Sequence, residues 1–175
     1  ALPGAVFSNL PVRVVYIGRP VVPNRDGRCI TEVYPDKGGS QTMNNNEEPI
    51  LSPEGQLTLT LPADPQATNM FGDVYGGWVA SQIVMAAEIK AAEVTRGRVA
   101  TVSVGNMEFM SPVLVGTVLS FYTRVLESGR SSLRVRVEVW GRCPDGSDLR
   151  KVTEAECVQV AIDGHGHIRA INFGE

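Results

Sequence analysis

Residues 69–78 read Asn-Met-Phe-Gly-Asp-Val-Tyr-Gly-Gly-Trp and lead directly into a long, mostly apolar segment. The length and pattern of that segment predict a helix from about Gly76 to Val94. On a helical wheel, Gln82, Lys90 and Glu93 fall on one side, which we expect to meet solvent. The remainder is mostly apolar, and this predicts a helix that other parts of the fold largely cover.

The segments around this helix carry strand signals. The alternation in Gln56–Leu61 predicts a strand with Leu57, Leu59 and Leu61 on one face. Four further valine-rich segments, bounded by turn residues, predict strands at Val99–Phe109, Val118–Glu127, Leu133–Trp140 and Val152–Ile162. Hairpin turns are predicted at Ser128–Ser131 and Pro144–Ser147. One strand, one helix and a strand meander together imply an α+β fold, with an antiparallel sheet packed on a helix.

The first part of the chain has a different composition. The length of 175 residues favours one domain, which we place at residues 43–175. Residues 1–42 are rich in proline and predict only one short strand, at Val12–Ile17. Two interpretations of this extension stay open: it is upstream or appended sequence, or it is an arm that packs on a partner subunit.

Charge and cysteine content exclude several classes of function. The net charge of −3 offers no large basic field for nucleic acid or anionic lipid. Three cysteines without a Cys-x-x-Cys pair argue against a zinc site or a disulfide framework, and they fit a reducing cytoplasm. No apolar run has the roughly 18 to 20 residues that span a bilayer. We therefore expect a cytoplasmic protein without a nucleic-acid or membrane partner.

The start of the predicted helix has features that suit carbonyl chemistry. Gly76 and Gly77 leave the first backbone N–H groups unobstructed, so that a ligand oxygen can approach them. Such groups polarise a carbonyl and stabilise the oxyanion formed when water attacks it. Asp73, three residues earlier, is placed to orient or deprotonate that water. The plainer interpretation of Asp73 is a capping or loop carboxylate near the positive end of the helix.

Glu88 is a second acid of interest. It shares a helix face with Ser81 and Val84 and lies nearly opposite Lys90, so we predict that it points inward. A buried acid needs a partner, a shifted pKa or a function. Two interpretations stay open: a structural acid bonded to a backbone or serine group, or a residue of the site.

The segment from Leu57 to Ile171 resembles the YciA-type acyl-CoA thioesterases of the hotdog superfamily. The matching elements occur in the family's order: Gly72–Trp78, Ser81-Gln82, Gly97–Val99, Met107–Phe109, Pro112–Gly116, Gly129–Ser132 and Val137–Trp140. The resemblance implies an antiparallel sheet of five or six strands wrapped around a central helix. It also implies a homodimer at least, often assembled into tetramers or hexamers, with CoA bound along the subunit boundary.

The resemblance further implies that water attacks the thioester directly, with no metal and no cofactor besides the CoA of the substrate. One position departs from the family, because Val84 stands where the family's helix carries a catalytic Asp. We therefore assign Asp73 as the leading water-activating residue and Glu88 as a second, with Gly76 and Gly77 binding the oxyanion.

The resemblance also assigns residues to the CoA phosphates. These are Arg130, Ser131 and Ser132 in a predicted turn, with Arg98 as a weaker candidate. His165 and His167 lie in a glycine-rich segment that predicts an exposed turn rather than a metal site. No histidine lies near the helix start, which disfavours a hotdog dehydratase. A non-catalytic acyl-CoA-binding protein remains the alternative, because valine at position 84 cannot transfer a proton.

Overall fold

The computed structural model describes residues 21–23, 29–31, 52–142 and 149–172. One long helix, α1, spans Gly76–Thr95, and a single 3-10 turn spans Pro65–Ala67. The strands are β1 Val21–Pro23, β2 Cys29–Thr31, β3 Gln56–Pro62, β4 Val99–Val104, β5 Glu108–Phe109, β6 Val118–Ser128, β7 Ser132–Arg142 and β8 Leu149–Ala161. The predicted strand Val12–Ile17 and the predicted turn Pro144–Ser147 lie outside the described residues.

Six of the described strands form one antiparallel sheet. Its order is β3-β6-β7-β8-β4, and β5 extends the β4 side by pairing with β8. Among the described strands, β1 and β2 form a separate antiparallel pair, which the sequence analysis did not predict. The helix α1 packs across the sheet and contacts β3, β4, β6, β7 and β8. This arrangement confirms the predicted α+β fold. No helix in the described part is both long enough and apolar enough to cross a membrane.

The core lies between α1 and the concave face of the sheet. The helix contributes one large side chain, Ile83, and several small ones, among them Ala86, Ala87 and Ala91, all fully buried. The strand face opposite is lined by buried apolar residues: Leu119, Phe121, Leu133, Val135, Val137 and Val139. Alanine allows the helix backbone to lie close to the sheet, and the valines fill the pleated surface efficiently.

The predicted solvent face of the helix is only partly correct. Glu93 is exposed, with 58 % of its side chain accessible, whereas the side chain of Lys90 is only 14 % accessible. The Lys90 amine donates to Gln56 on β3 at 2.7 Å and to Glu93 at 3.0 Å. Gln82 is likewise only partly exposed. The long stem of Lys90 therefore covers apolar surface while its charge reaches the rim of the sheet.

Solvent instead meets an apolar stripe on α1. Met85 is 47 % exposed and Ile89 is 42 % exposed, and they lie one turn apart on the same face. The neighbouring edge strand β4 also exposes Val102 and Val104, at 60 % and 43 %. Exposed apolar side chains on a helix face and on an edge strand are typical of an interface with another chain.

Two strand predictions need correction. Leu57 is 51 % exposed and does not share a face with Leu59, because a bulge shifts the register between them and reverses the alternation. The strand predicted at Val99–Phe109 is broken into β4 and β5. At the break, the N–H of Gly105 donates to the carbonyl of Glu156 at 2.8 Å, and the chain leaves the regular ladder there.

The end of α1 is held by the C-terminal segment. Arg96 adopts a left-handed conformation with φ of 49°, and the next residue, Gly97, begins the connection to β4. The guanidinium of Arg169 donates to the carbonyls of Thr95 at 3.0 Å and Ile162 at 3.2 Å. A Cβ at Gly97 would lie 2.5 Å from the Arg169 guanidinium. A side chain at position 97 would therefore displace the Arg169 guanidinium from its contacts at the helix end.

We expect Gly97→Ala and Arg169→Ala each to lower the free energy of unfolding by about 1–3 kcal/mol, because each removes charge-assisted hydrogen bonds to helix and strand carbonyls. Chemical denaturation of both single variants and of the double variant measures this. The double variant should cost little more than Arg169→Ala alone, since both changes remove the same contact. Fully additive losses would show that the two residues act independently.

Candidate active site

A short loop brings the chain to the start of α1. The side-chain oxygen of Asn69 accepts hydrogen bonds from the N–H of Phe71 at 2.9 Å and of Asp73 at 3.1 Å. The backbone N–H of Asn69 donates to the carbonyl of Asp73 at 2.7 Å. Gly72 has a φ of +86°, which allows the tight turn between them. Asn69 therefore closes the loop, a role that the sequence analysis did not assign to it.

Asp73 lies exposed at the end of this loop, just before α1. The residue at the N-cap position is Tyr75, and no side chain makes a capping hydrogen bond there. Asp73 therefore does not cap α1, and its position is that of a loop carboxylate near the helix start. Within the described residues, no hydrogen bond or ion pair engages the Asp73 carboxylate, so that it remains available for a ligand or a water molecule.

The two glycines begin α1 and differ in their surroundings. The first N–H groups of a helix have no carbonyl partner within the helix, and the positive end of its dipole lies here. A Cβ at Gly76 would lie 3.0 Å from the ring of Phe109, which packs on the core. A Cβ at Gly77 would meet only the half-exposed ring of Tyr75, at 2.9 Å. Gly76 thus has a packing role in addition to any ligand role, whereas Gly77 faces the outside.

Glu88 points between α1 and the sheet, as predicted. Its Oε1 accepts a hydrogen bond from the hydroxyl of Thr101 on β4 at 2.7 Å. The partner is therefore a threonine rather than the backbone or serine group of the structural interpretation. Nearby, burial raises the pKa of the Cys157 thiol to about 11, and the negative charge of Glu88 adds to this shift. Cys157 therefore remains a neutral thiol at physiological pH.

Glu88 and Asp73 do not meet within one chain. Glu88 follows Gly77 by eleven residues, which is about 16 Å along a helix axis. Asp73, in contrast, lies at the same end of α1 as the glycine pair. The structure thus groups Asp73, Gly76 and Gly77 and separates Glu88 from them. Val84, the position without its family acid, lies between the two groups and is partly exposed.

The predicted CoA-binding residues come together at the other end of α1. The carbonyl of Ser131 accepts from Ala161 N–H, and the carbonyl of Arg98 accepts from the next residue, Ile162, both at 2.9 Å. The carbonyl of Arg130 accepts from Ile171 N–H at 2.8 Å. The end of β8 and the C-terminal segment therefore join the β6–β7 turn to the start of β4.

The side chains of the predicted CoA-binding residues are not equally free of hydrogen bonds within the described residues. Arg98 donates from one guanidinium nitrogen to the carbonyls of Asp163 at 3.2 Å and Gly164 at 2.9 Å. Arg130 is exposed, and no hydrogen bond of its guanidinium occurs among the described residues. Ser132 lines a small pocket beside the turn together with Gly129. The guanidinium of Arg98 is thus engaged by backbone carbonyls, and phosphate binding by Arg130, Ser131, Ser132 and Arg98 stays a prediction.

The turn with His165 and His167 is exposed, as predicted. Both backbone N–H groups donate to the Asp163 carboxylate at 2.8 Å. The N–H of His167, together with that of His165, holds the pKa of Asp163 below its usual value. Across the described ranges, no three His, Cys, Asp or Glu side chains are grouped so that they could hold a metal ion.

This combination of fold and helix terminus is that of a hotdog thioesterase. Residues 71–142 match the thioesterase superfamily model. An uncharacterized acyl-CoA thioester hydrolase of Haemophilus influenzae is 38 % identical, over 79 % of this chain and 84 % of that protein. The acyl-CoA thioester hydrolase YciA of Escherichia coli is 39 % identical, over 68 % of this chain and 92 % of its own length.

Solved structures agree with these relatives. The hexameric thioesterase y2039 of Yersinia pestis is 40 % identical and superposes with a TM-score of 0.68, covering 70 % of this chain and all of that one. HI0827, a hexameric broad-specificity acyl-coenzyme A thioesterase, is 40 % identical with a TM-score of 0.66, over 70 % of this chain and 84 % of that one. The chain therefore belongs to the YciA-type acyl-CoA thioester hydrolases of the thioesterase superfamily.

Single alanine substitutions of Gly76 and Gly77 should distinguish a role in core packing from a role in ligand binding. We expect Gly76→Ala to lower the melting temperature, because its Cβ crowds the Phe109 ring. Gly77→Ala should leave the melting temperature unchanged or slightly raised, since alanine favours the helix and Tyr75 can move aside. It should nevertheless reduce thioesterase turnover at least tenfold by obstructing the N–H groups. Full activity of Gly77→Ala would contradict an oxyanion site at this helix end.

Proposed function

We propose that this protein hydrolyses acyl-CoA thioesters to a carboxylic acid and free CoA by direct attack of water. The observation that carries the proposal is the start of α1, where the N–H groups of Gly76 and Gly77 lie at the positive helix end and the exposed Asp73, which makes no side-chain hydrogen bond or ion pair within the described residues, lies in the loop just before them. Both components suit a reaction in which negative charge develops on a carbonyl oxygen.

The proposed steps assign one role to each group. The thioester oxygen binds at the N–H groups of Gly76 and Gly77, which stabilise the tetrahedral oxyanion. Asp73 accepts a proton from the attacking water as the new C–O bond forms. The oxyanion then collapses, the C–S bond breaks, and the CoA thiolate leaves and takes up the proton held by Asp73, which regenerates the carboxylate. The acid and CoA are released, and no redox change occurs.

The geometry favours a site that two chains build together. The glycine pair and the phosphate-binding candidates lie at opposite ends of α1, whose 20 residues extend about 30 Å. A single CoA molecule would have to follow the whole helix to meet both groups in one chain. A partner whose helix runs antiparallel would instead bring its Arg130 and Ser132 towards this chain's Gly77. We therefore propose active sites at a dimer boundary.

The exposed apolar stripe of Met85 and Ile89 is the proposed contact between the two helices. Its position near the middle of α1 suits a two-fold axis, because an isologous contact places equivalent residues opposite each other. Val102 and Val104 would extend the contact along the free edge of β4. The hexameric solved relatives support further assembly of such dimers.

Three further points of the sequence analysis stay proposals. The reaction needs no metal or cofactor besides the CoA of its substrate. Three cysteines without a Cys-x-x-Cys pair favour a cytoplasmic location. Residues 43–175 form the catalytic domain, and the role of residues 1–42 is left between the two interpretations given above. The second candidate function, acyl-CoA binding without hydrolysis, is favoured only by Val84 at the family's acid position.

The direct test is release of free thiol from a panel of acyl-CoAs. We expect turnover by the wild type and a loss of at least a hundredfold in kcat for Asp73→Asn, which cannot accept the water proton. Glu93→Gln is the matched control, because it neutralises an exposed carboxylate near the other end of α1 and should keep full activity. Wild-type kcat in Asp73→Asn would refute the assignment of Asp73. Tight acyl-CoA binding without any turnover by the wild type would favour the second candidate function.

A further inference from the structure

Two neighbouring apolar side chains project from the loop that precedes α1. Met70 is 90 % exposed and Phe71 is 81 % exposed, the two highest values for large apolar side chains in the described residues. Single apolar residues are common on protein surfaces, but a methionine and a phenylalanine side by side expose a much larger apolar area. An exposed pair of this kind is typical of a binding site.

The pair lies at the tip of a tight turn that hydrogen bonds close. Thr68 and Val74 form an antiparallel bridge, and Val74 belongs to the core. Within this bridge, the N–H of Asn69 donates to the carbonyl of Asp73 at 2.7 Å. The side-chain oxygen of Asn69 accepts from the N–H groups of Phe71 at 2.9 Å and Asp73 at 3.1 Å. The exposure of the tip is therefore a property of a well-bonded turn.

The residue types at the tip differ from those that tight turns usually carry. Glycine, asparagine, aspartate, serine and proline predominate in turns, each for a conformational or hydrogen-bonding reason. Gly72 follows this rule, with a φ of +86°. Met70 and Phe71 do not follow it, and in water their side chains contribute nothing to the turn. Departures from local sequence rules are expected where a residue serves a function.

The tip lies beside the proposed catalytic groups. Phe71 precedes Asp73 by two residues, so their Cα atoms are at most about 7.6 Å apart. Their N–H groups bond to the same oxygen atom of Asn69, which fixes the two residues relative to each other. On the other side of Asp73, the half-exposed ring of Tyr75 lies against Gly77. Apolar side chains therefore flank both the carboxylate and the proposed oxyanion site.

The substrate itself supplies an apolar partner at this place. In an acyl-CoA, the acyl chain begins at the carbonyl carbon on which Asp73 and the glycine N–H groups would act. The CoA portion is polar and carries the phosphates. The other candidate partner is a second subunit, but its proposed contact begins at Met85, about 14 Å along α1 from the helix start. The position of the tip therefore favours the acyl chain.

We propose that Met70 and Phe71 are specificity-determining residues, which bind the distal part of the acyl chain and make the enzyme prefer long, apolar acyl groups to short ones. This inference rests on the proposed thioesterase function. The flexible thioether of Met70 suits the role, because methionine adapts to apolar ligands of different shape. The turn holds both side chains on the side of the chain's own Asp73.

Thiol release from a series of straight-chain substrates, from acetyl-CoA to dodecanoyl-CoA, tests this proposal on the full-length protein. For the wild type, kcat/KM should rise by up to about fourfold for each added methylene that reaches the pair. Met70→Ser/Phe71→Ser should lower kcat/KM for dodecanoyl-CoA about ten- to a hundredfold and for acetyl-CoA less than about twofold. Most of the loss should appear as a higher KM, since the ground state and the transition state make the contact equally.

Two further variants separate this role from a general effect on the surface. Phe71→Leu keeps an apolar side chain and should retain kcat/KM for dodecanoyl-CoA within about threefold of the wild type. Leu57→Ser is the matched control, because Leu57 is a half-exposed apolar residue on the edge strand β3, outside the site and the proposed dimer contact. It should leave the dependence on chain length unchanged.

The dependence on chain length decides the outcome. A wild type without preference for long chains, or the same preference in Met70→Ser/Phe71→Ser, would overturn the proposed acyl contact and leave the thioesterase function intact. Equal losses for all substrates, together with a smaller assembly by light scattering, would overturn it as well and show that the pair contacts another subunit. A wild type that releases no thiol from any acyl-CoA would instead remove the proposed function itself.

Discussion

The close approach of α1 to the concave face of the sheet is the contact on which the rest of the structure depends. It is possible because the buried face of the helix carries Ala86, Ala87 and Ala91, and because Phe109 packs directly against the backbone of Gly76. Because these side chains are small, the helix backbone lies close to the sheet, and dense packing then fixes the helix in one position. The positive end of α1 is consequently held at a defined place beside the loop that carries Asp73.

The same packing explains why one chain offers only part of a site. A straight helix of this length separates the glycine pair from Arg130 and Ser132 at its far end. The exposed Met85 and Ile89 provide the means to bring a second helix alongside. The proposed dimer would link assembly and catalysis through a single element, since the face of α1 that is not packed on the sheet is the one proposed to meet the partner.

Much of this architecture is readable from the sequence, and the failures have identifiable causes. The helix was predicted within one residue of its observed end because glycines mark its start and its apolar period is continuous. The exposure of Leu57 was not predictable, since a bulge leaves no clear signal in the alternating pattern. Met85 and Ile89 were expected to be covered within the chain. The spacing of apolar residues predicts which positions of a helix are apolar, but it does not tell whether the same chain or another chain covers them.

The candidate active site could likewise be predicted only in part from the sequence. Asp73, Gly76 and Gly77 could be proposed from local sequence because they are neighbours in the chain and meet at one helix end. The contact of Thr101 with Glu88 joins two separate elements, α1 and β4, and nothing in the local pattern indicates it. Arg169 was missed for the same reason: its role at the end of α1 exists only after the C-terminal segment has folded back.

A structure of the protein with a non-hydrolysable acyl-CoA analogue tests the central claim most directly. The analogue should retain the carbonyl and replace the scissile sulfur linkage by a stable one. We predict that its carbonyl oxygen lies within about 3.2 Å of the backbone nitrogen of Gly76 or Gly77, with the Asp73 carboxylate on the side from which water attacks and the CoA phosphates near Arg130 of the partner subunit. A carbonyl bound away from the start of α1 would contradict the account.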